Sequence, residues 1–485
     1  MILRRGNVTD VFTEDGRSAV MVNAQVLVLS EVASTVVAAV PGHDATEFAD
    51  VVEAVVDAYG SPPGGDPGAA VAEHVEGLIA HGVLRRDDPV PSVATPEAVS
   101  AVRDALRHLL SDSPRAWHLD DEVPAAQFLA AVQRHRVGPA LADAGDRLAL
   151  PAAARAGLAA VRSNETATVA ALTRDLTEAL HALERASIRT ITFKGLALAA
   201  QAHGDPSARG TGDHDLLVHP DDVVRALSVL SSLGWKLPPT VPAPGPSWAW
   251  RQFHRCAYEA PLHRGGHMID LHWHLVADQH SFGDFADLWA RRDTVRIGGR
   301  EIATLGRYDA LRHSAAHATT DERRYLRGLY DISLLLRDAR TWAGADRPFT
   351  HGELISVGVA TTLLGAAPHA PAVVHEAAAA AASATEAALR QQANQPPPTT
   401  ANWPGKALVA AVGTAVRARR SPADLARQLS TSVFLPKFTA LEPSPHAIVA
   451  APRALARRLR DAAERASVAS RRATAHHSPH RGARP

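Results

Sequence analysis

The 485-residue sequence contains one cysteine, Cys256, which excludes an internal disulfide bond and fits a reducing compartment. Aromatic residues are scarce at 5%, so the 46% hydrophobic content is carried mainly by Ala, Val and Leu and favours many helices. Basic and acidic residues number 51 each, so charge gives no reason to expect a nucleic acid or an anionic membrane as partner. No apolar run approaches the length of a membrane span, and the first residues lack the apolar segment of a signal peptide. We therefore expect a cytoplasmic protein.

The length predicts two or three domains. Pro89, Pro91 and Pro96 predict a linker at 89–96, which separates a small domain at 1–88 from a larger one. The segments predicted after the linker are a large domain at 97–345 (helices at 97–185, a core of strands and helices at 186–300, helices at 301–345), an Ala-rich helical region at 346–440 that includes the linker QPPPTT, and a basic helix with a disordered tail at 441–485.

The small domain begins with a predicted β-hairpin that turns at Glu14–Arg17, and three helical patterns follow it. The stretches VNAQVLVLSEVA, ADVVEAVVDAYG and VEGLIAHGVLRR resemble the PqqD-like domains, which are compact modules of winged-helix type. This resemblance implies that the domain binds the leader segment of a precursor peptide. An unrelated winged helix remains the alternative. DNA binding is disfavoured because Arg4, Arg5, Arg85 and Arg86 do not lie along one predicted recognition helix.

Two aspartates introduce the apolar run Leu216–Val218, which predicts a buried strand. Asp213 and Asp215 are two residues apart, so on a strand their carboxylates point to the same side. Paired carboxylates are ligands for a hard cation such as Mg²⁺, and Asp270 in a second apolar run supplies a third. The alternative is a turn whose aspartates only cap the loop.

Several segments in the same order resemble DNA polymerase β-like nucleotidyltransferases, and specifically the family of uncharacterised nucleotidyltransferases known as NTP-transferase-5. The resemblance covers about 97–340 and rests on RHRV at 134–137, TFKGLAL at 192–198, RGTGDHDLLV at 209–218, LGW at 233–235, IDLHWHL at 269–275 and LYDI at 329–332. Two positions depart from the usual pattern. His214 replaces an apolar residue, and Lys194-Gly195 replaces a Gly-Ser pair.

The resemblance implies an α+β protein whose polymerase β-like core has a mixed sheet. It also implies transfer of a nucleotidyl group from an NTP, with ATP the expected nucleotide and two Mg²⁺ ions as cofactor. Asp213 and Asp215 would bind both ions, and Asp270 would bind one ion and help to deprotonate the acceptor. The expected nucleotide-binding residues are Lys194, Gly195, Arg209 and Gly212. For Arg209 a phosphate contact and an ion pair with the two aspartates remain open.

The histidines around Asp270 allow more than one role. His272 and His274 share strand parity with Asp270, so both could face the site, where His272 would orient a ligand or be an ordinary structural residue. An H-x-H pair can bind zinc, but no cysteine or H-E-x-x-H motif accompanies this one.

Further along the chain, three polar residues lie on predicted helices. His313 and His317 share one helix face, which we interpret as a packed or partly exposed face rather than a metal site. Asp331 is expected to pair with an arginine such as Arg324, with a contact to the nucleotide as the alternative.

Together these features predict a Mg²⁺-dependent nucleotidyltransferase with a leader-binding domain, acting in the tailoring of ribosomal peptides, with no membrane or nucleic acid as partner. Alternatives are a nucleotidyltransferase that acts on a protein or small molecule and whose N-terminal domain is only structural, and a peptide-binding protein without catalysis. The complete set of three carboxylates argues against the last.

Overall fold

The computed structural model describes residues 2–6, 8–14, 16–22, 25–40, 46–62, 66–86, 94–277 and 281–393, together with 444, 446, 449–453 and 456–457. The chain divides into two compact units, Met1–Ser92 and Val93–Pro485. Most of the predicted linker at 89–96, the QPPPTT segment, the helices expected at 403–440 and most of the basic tail lie outside the described residues. No helix among the described residues is long and apolar enough to cross a membrane.

The first unit contains two small sheets and three helices. Its elements are β1 (Ile2–Arg5), β2 (Val8–Glu14), β3 (Arg17–Val22), β4 (Gln25–Val28), α1 (Glu31–Ala39), β5 (Thr46–Glu47), α2 (Phe48–Tyr59), α3 (Pro67–Ala80) and β6 (Leu84–Arg86). The predicted hairpin is confirmed, because β2 and β3 pair antiparallel with Glu14 opposite Arg17. The sheets have the orders β5-β1-β6 and β2-β3-β4. Valine and leucine side chains from the sheets and all three helices form its core.

The second unit begins with the predicted helical region. Its elements are α4 (Pro96–Leu109), β7 (Trp117–His118), α5 (Ala125–His135), α6 (Gly138–Ala142), β8 (Leu148–Ala149) and α7 (Ala152–Arg185). Thr95 caps α4 by accepting a hydrogen bond from the backbone N–H of Ala98 with its hydroxyl oxygen. The short parallel pair β7–β8 was not predicted, since two-residue strands leave no periodic signal.

A six-stranded mixed sheet follows. Its elements are β9 (Thr190–Phe193), α8 (Gly195–Leu198) continued by a π-helical turn (Ala199–His203), β10 (Asp213–Val218), α9 (Val223–Ser232), α10 (Trp248–Cys256), β11 (Glu259–Arg264), β12 (His267–His272), α11 (Phe285–Ala290), β13 (Asp293–Ile297) and β14 (Arg300–Thr304). The strand order is β11-β12-β10-β9-β14-β13. The pairs β10–β12 and β9–β14 are parallel, and the other pairs are antiparallel. The strand predicted around Asp213 and the run Leu216–Val218 is therefore present as β10, next to β9.

Helices complete the unit: α12 (Arg307–Thr320), α13 (Leu326–Arg337), α14 (His351–Leu364), α15 (Ala372–Ala380) and α16 (Ala382–Ala393). The sheets and the many helices agree with the predicted α+β class.

Alternation along the strands divides the core between the two faces of the large sheet. Leu216 and Val218 join one apolar cluster with α7 and α9, whereas Leu217 joins the other, with α12 and α13. Side chains two residues apart share a face, so Asp215 projects on the side of Leu217, toward α12 and α13. The polar site thus lies between the sheet and these helices.

Candidate active site

Two aspartates meet at the centre of the sheet. Parallel pairing of β10 with β12 places Asp215 directly opposite Asp270. Ligand atoms of Asp215, Asp270 and His272 lie within 4.8 Å of one another, which makes these residues a possible metal-binding group. Asp213, one pleat earlier on β10 and opposite Met268, lies outside this group and borders a neighbouring cavity.

Asp215 is buried, with 1% of its surface exposed, and it is held by two basic groups. Lys194 Nζ donates to Asp215 Oδ1 at 2.7 Å, and His272 Nε2 lies 3.0 Å from the same oxygen. Burial alone would favour the neutral acid, but Lys194 and His272 outweigh it and hold the pKa of Asp215 well below its usual range. Asp215 is therefore a permanent anion at neutral pH.

Asp270 has the opposite electrostatic setting. Burial, with the nearby carboxylates of Glu259 and Asp215, raises the pKa of Asp270 to about 7. Two aspartates in adjacent strands therefore differ in protonation near neutral pH.

Glu259 is a fourth carboxylate that the sequence reasoning missed. It lies on β11 opposite His272, and its Oε2 is 3.3 Å from His272 Nε2. Glu259 and burial also raise the pKa of the adjacent Tyr258 hydroxyl. The sequence did contain a signal for Glu259, namely the Gly265-Gly266 pair, which is typical of a hairpin turn. A hairpin that turns there pairs Arg264 with His267, and continuing this register along both strands places Glu259 opposite His272.

The residues present fit a divalent cation. Two buried atoms of the group, Asp215 Oδ2 and His272 Nδ1, have no hydrogen-bond partner in the described part of the chain, although buried polar atoms are normally satisfied. Carboxylate oxygens suit Mg²⁺, and an added imidazole suits Mn²⁺ or zinc. The bond from His272 to Asp215 fits the predicted orienting role. His274 follows the end of β12 and is not in the group.

The turn after β9 brings backbone and side chains close together. Lys194 has φ 51° and ψ −153°, a conformation that is rare for a residue with a side chain. Gly195 has φ 36°, and a Cβ there would lie 2.9 Å from Thr211 Oγ1 and 3.2 Å from the Asp213 carbonyl oxygen. Only glycine fits this approach to the loop that precedes β10.

Arg209 forms an ion pair, but with an acid other than the two predicted aspartates, and its contact with phosphate stays a prediction. Its Nε donates to Asp331 Oδ2 at 2.8 Å and not to the aspartates of β10. Asp331 Oδ1 also lies 2.9 Å from His203 Nε2, and Arg209 and His203 together lower the pKa of Asp331 against the effect of burial. Pairing of Asp331 with an arginine is therefore correct, whereas the suggested partner Arg324 is wrong.

Arg324 instead hydrogen-bonds within its own turn, to the Asp321 carbonyl and to Glu322. The difference arises because Asp331 lies one and a half turns into α13, on the side toward the loop before β10.

Of the histidines of α12, His313 is buried and His317 is exposed, which agrees with the predicted packed or partly exposed helix face. His313 is buried with its ring edge-on to Phe193 at 5.0 Å, and burial lowers its pKa. His317 pairs with Asp321 at 3.3 Å. These contacts account for both residues without a metal.

A cavity of about 290 Å³ lies beside the carboxylates. It brings together Lys194, Gly195, Arg209, Gly212 and Asp213, which are the predicted nucleotide-binding residues and one predicted metal ligand. Its cationic lining includes three arginines that were not predicted, namely Arg136, Arg323 and Arg327. Sequence periodicity could not link Arg136 to Arg323 and Arg327, because Arg136 follows α5 and the other two lie much later in the chain, at and before the start of α13.

Residues 121–347 match the family model described as uncharacterised nucleotidyltransferase. This match supports an enzyme that transfers nucleotidyl groups. The nucleotidyltransferase match contains the whole six-stranded sheet and every site residue named above, and it does not include the first unit. No curated protein and no solved structure shows significant similarity to the chain.

Proposed function

We propose that the protein is a Mg²⁺-dependent nucleotidyltransferase that transfers a nucleotidyl group from an NTP, with ATP as the expected donor, to an acceptor on a peptide of ribosomal origin. The observation that carries the proposal is the pairing of Asp215 with Asp270 beside a cavity lined by Lys194 and arginines. Fixed negative charge next to a cationic cavity suits a substrate that carries both phosphates and metal.

In this proposal Lys194 and the aspartates have separate roles. Lys194 orients Asp215 and faces the cavity, where it can contact phosphate. Asp270 is poised to accept the proton of the acceptor, because its pKa of about 7 lies near neutral pH. In the reaction an acceptor oxygen attacks the α-phosphorus and pyrophosphate leaves. Bound Mg²⁺, held by Asp215 and Asp270 with Asp213 nearby, would supply charge neutralisation at the attacking and leaving oxygens.

The test is a measurement of pyrophosphate release from each NTP, with mass spectrometry of candidate precursor peptides. We expect a mass increase of one nucleotidyl group on a peptide with ATP and Mg²⁺, and its loss in Asp215→Asn and Asp213→Asn. These changes remove charge while keeping side-chain volume. Full turnover in Asp215→Asn would rule out the proposed site. Modification of small molecules or whole proteins but not peptides would support a different acceptor.

A peptide acceptor is proposed because of the first unit, which we propose is the PqqD-like domain. In the sheet β2-β3-β4, the strand β4 pairs only with β3 within the part of the chain that the structure describes. Val26 and Val28 on β4 are 61% and 75% exposed, and Phe12 and Met21 extend the same apolar surface across the sheet. An edge strand with apolar neighbours can accept an extended peptide through main-chain hydrogen bonds.

A further inference from the structure

Three arginines meet at the cavity, where basic side chains outnumber acidic ones. Arg136 ends α5, Arg209 precedes β10, and Arg327 lies in the first turn of α13. Asp331 is the buried carboxylate among them, and it is already bonded to Arg209 and to His203. In the described part of the chain, neither Arg136 nor Arg327 has an acidic partner within 4.0 Å. Together with Lys194 and Arg323 the cavity lining has five basic side chains against three carboxylates, Asp213, Asp321 and Asp331, so positive charge is in excess there.

Arg327 is partly buried at the cavity. Its Nη1 donates to the Gly210 carbonyl oxygen at 2.6 Å, and its other donors have no protein partner among the described residues. Burial and the neighbouring Arg209 lower the pKa of Arg327 to about 9. A guanidinium in such surroundings is costly unless an anion joins it.

Arg136 adds an independent observation from the backbone. It has φ 55° and ψ 41°, the left-handed conformation in which helix ends usually carry glycine or asparagine. Arg323, also at the cavity, has φ 58°, and Lys194 has φ 51°. Among the described residues, five that are not glycine have positive φ. Three of these five, Arg136, Lys194 and Arg323, are basic residues that line this cavity. Strained backbone of this kind concentrates at functional sites.

We propose that Arg136 and Arg327 bind the terminal phosphates of the nucleotide, whereas Arg209 only positions the loop before β10 by its bond to Asp331. The inference rests on the proposed function and assigns the cavity its substrate group, a polyphosphate chain. Lys194 borders the cavity and is bonded to Asp215, so the chain would run from the carboxylates past Lys194 to the two arginines. A guanidinium can donate two parallel hydrogen bonds to phosphate oxygens and also carries the opposite charge, which no single neutral donor does.

The experiment is calorimetric titration of the full chain, without metal, with inorganic tripolyphosphate, ATP and AMP. The variants are Arg327→Gln, Arg327→Lys and Arg136→Gly, and the matched control is Arg340→Gln, whose side chain is 73% exposed and bonded to Asp338 away from the site. Loss of a hydrogen-bonded charge weakens binding by about ten- to a hundredfold. We expect that loss for tripolyphosphate and ATP in Arg327→Gln and Arg136→Gly, less than about twofold for AMP, and partial recovery in Arg327→Lys. The control should bind like wild type.

Thermal unfolding separates a binding role from a structural one. Arg136→Gly should raise the melting temperature, because glycine adopts the left-handed conformation without strain, while it weakens polyphosphate binding. A lower melting temperature together with weaker polyphosphate binding would show that Arg136 is structural and would overturn its assignment. Unchanged tripolyphosphate affinity in Arg327→Gln, or an equal loss for AMP, would overturn the assignment of Arg327.

The two proposals fail in different ways. Arginine-dependent binding of tripolyphosphate without any nucleotidyl transfer would remove the proposed function and leave this inference standing. Normal nucleotidyl transfer with an unchanged KM for ATP in the Arg136 and Arg327 variants would overturn this inference and leave the proposed function standing.

Discussion

Asp215 and Asp270 are identical residues at paired positions, yet their surroundings give them different charges. Lys194 and His272 keep Asp215 ionised, whereas burial, Glu259 and Asp215 favour the protonated form of Asp270. In active sites, different surroundings can give two carboxyl groups different pKa values, so that one stays ionised and the other can exchange a proton. The pair therefore has the electrostatics that the proposed reaction needs.

The raised pKa of Asp270 has a consequence for stability. The folded protein holds a proton up to about pH 7 that the unfolded chain releases near its ordinary value of 3.8, so stability falls as the pH rises through this range and stays lower above it. Asp270→Asn removes the penalty. We expect the metal-free variant to melt a few degrees higher than wild type at pH 8, with a smaller difference at pH 5. Thermal denaturation in a chelator measures this, and a difference that is the same at both pH values would contradict it.

His272 tests the orienting role separately. His272→Phe keeps a ring against Phe193, whose centroid is 4.8 Å from that of the histidine, but removes the bond to Asp215. Loss of such a supporting bond weakens metal binding by about ten- to a hundredfold. Binding of Mn²⁺, followed by electron paramagnetic resonance, should show this loss, and His272→Gln should recover part of it. Equal Mn²⁺ affinity in wild type and His272→Phe would refute the role.

At the scale of elements, the turn from β9 to α8 determines how closely the loop before β10 can approach. Gly195→Ala would force a Cβ to within 2.9 Å of Thr211 Oγ1 at a positive φ, so we expect a lower melting temperature and weaker ATP binding. Gly212→Ala is the matched comparison, since a Cβ at Gly212 meets no atom within 4 Å. It should leave the melting temperature unchanged and affect only ligands that touch the loop. Equal melting temperatures for the two variants would show that the approach at Gly195 is not required.

The elements that carry the site were predictable because they have strong local patterns. The run Leu216–Val218 predicted β10, the parity of Asp213 and Asp215 predicted their common face, and the turn at Glu14–Arg17 predicted the first hairpin. The contacts between elements were not predictable in the same way. Arg209 and Asp331 are 122 positions apart, and no spacing rule joins them. Side-chain partners across such distances depend on packing, which the sequence pattern does not encode.

At the scale of the whole molecule, the leader-binding role proposed for the first unit predicts recruitment of the peptide. If the first unit binds a leader, covalent attachment raises the local concentration of the core peptide at the site in the second unit. Removing residues 1–92 should raise the apparent KM for a leader-bearing peptide by at least about tenfold. Transfer to a leaderless acceptor should be nearly unchanged, because the carboxylates all lie in the second unit. Steady-state kinetics of both proteins on both acceptors measures the effect.

The first unit alone provides the control for this comparison. With its own core, the fragment 1–92 should unfold in a single cooperative transition. If truncation reduces transfer to both acceptors equally, the first unit only supports the fold. If truncation reduces transfer to neither acceptor, the first unit has no part in the mechanism.

The position of β9 in the large sheet has a consequence for the order in which the site forms. One edge of β9 pairs with β10, which follows closely, but the other pairs Thr192 with Thr304 of β14. At synthesis rates of about 5–20 residues per second, roughly ten seconds separate the two strands on the ribosome. During that interval the second edge of β9 is open to other strands, which is an aggregation hazard. Arg327 and Asp331 emerge later still, so a chain interrupted before α13 would carry the carboxylates without the cavity beside them.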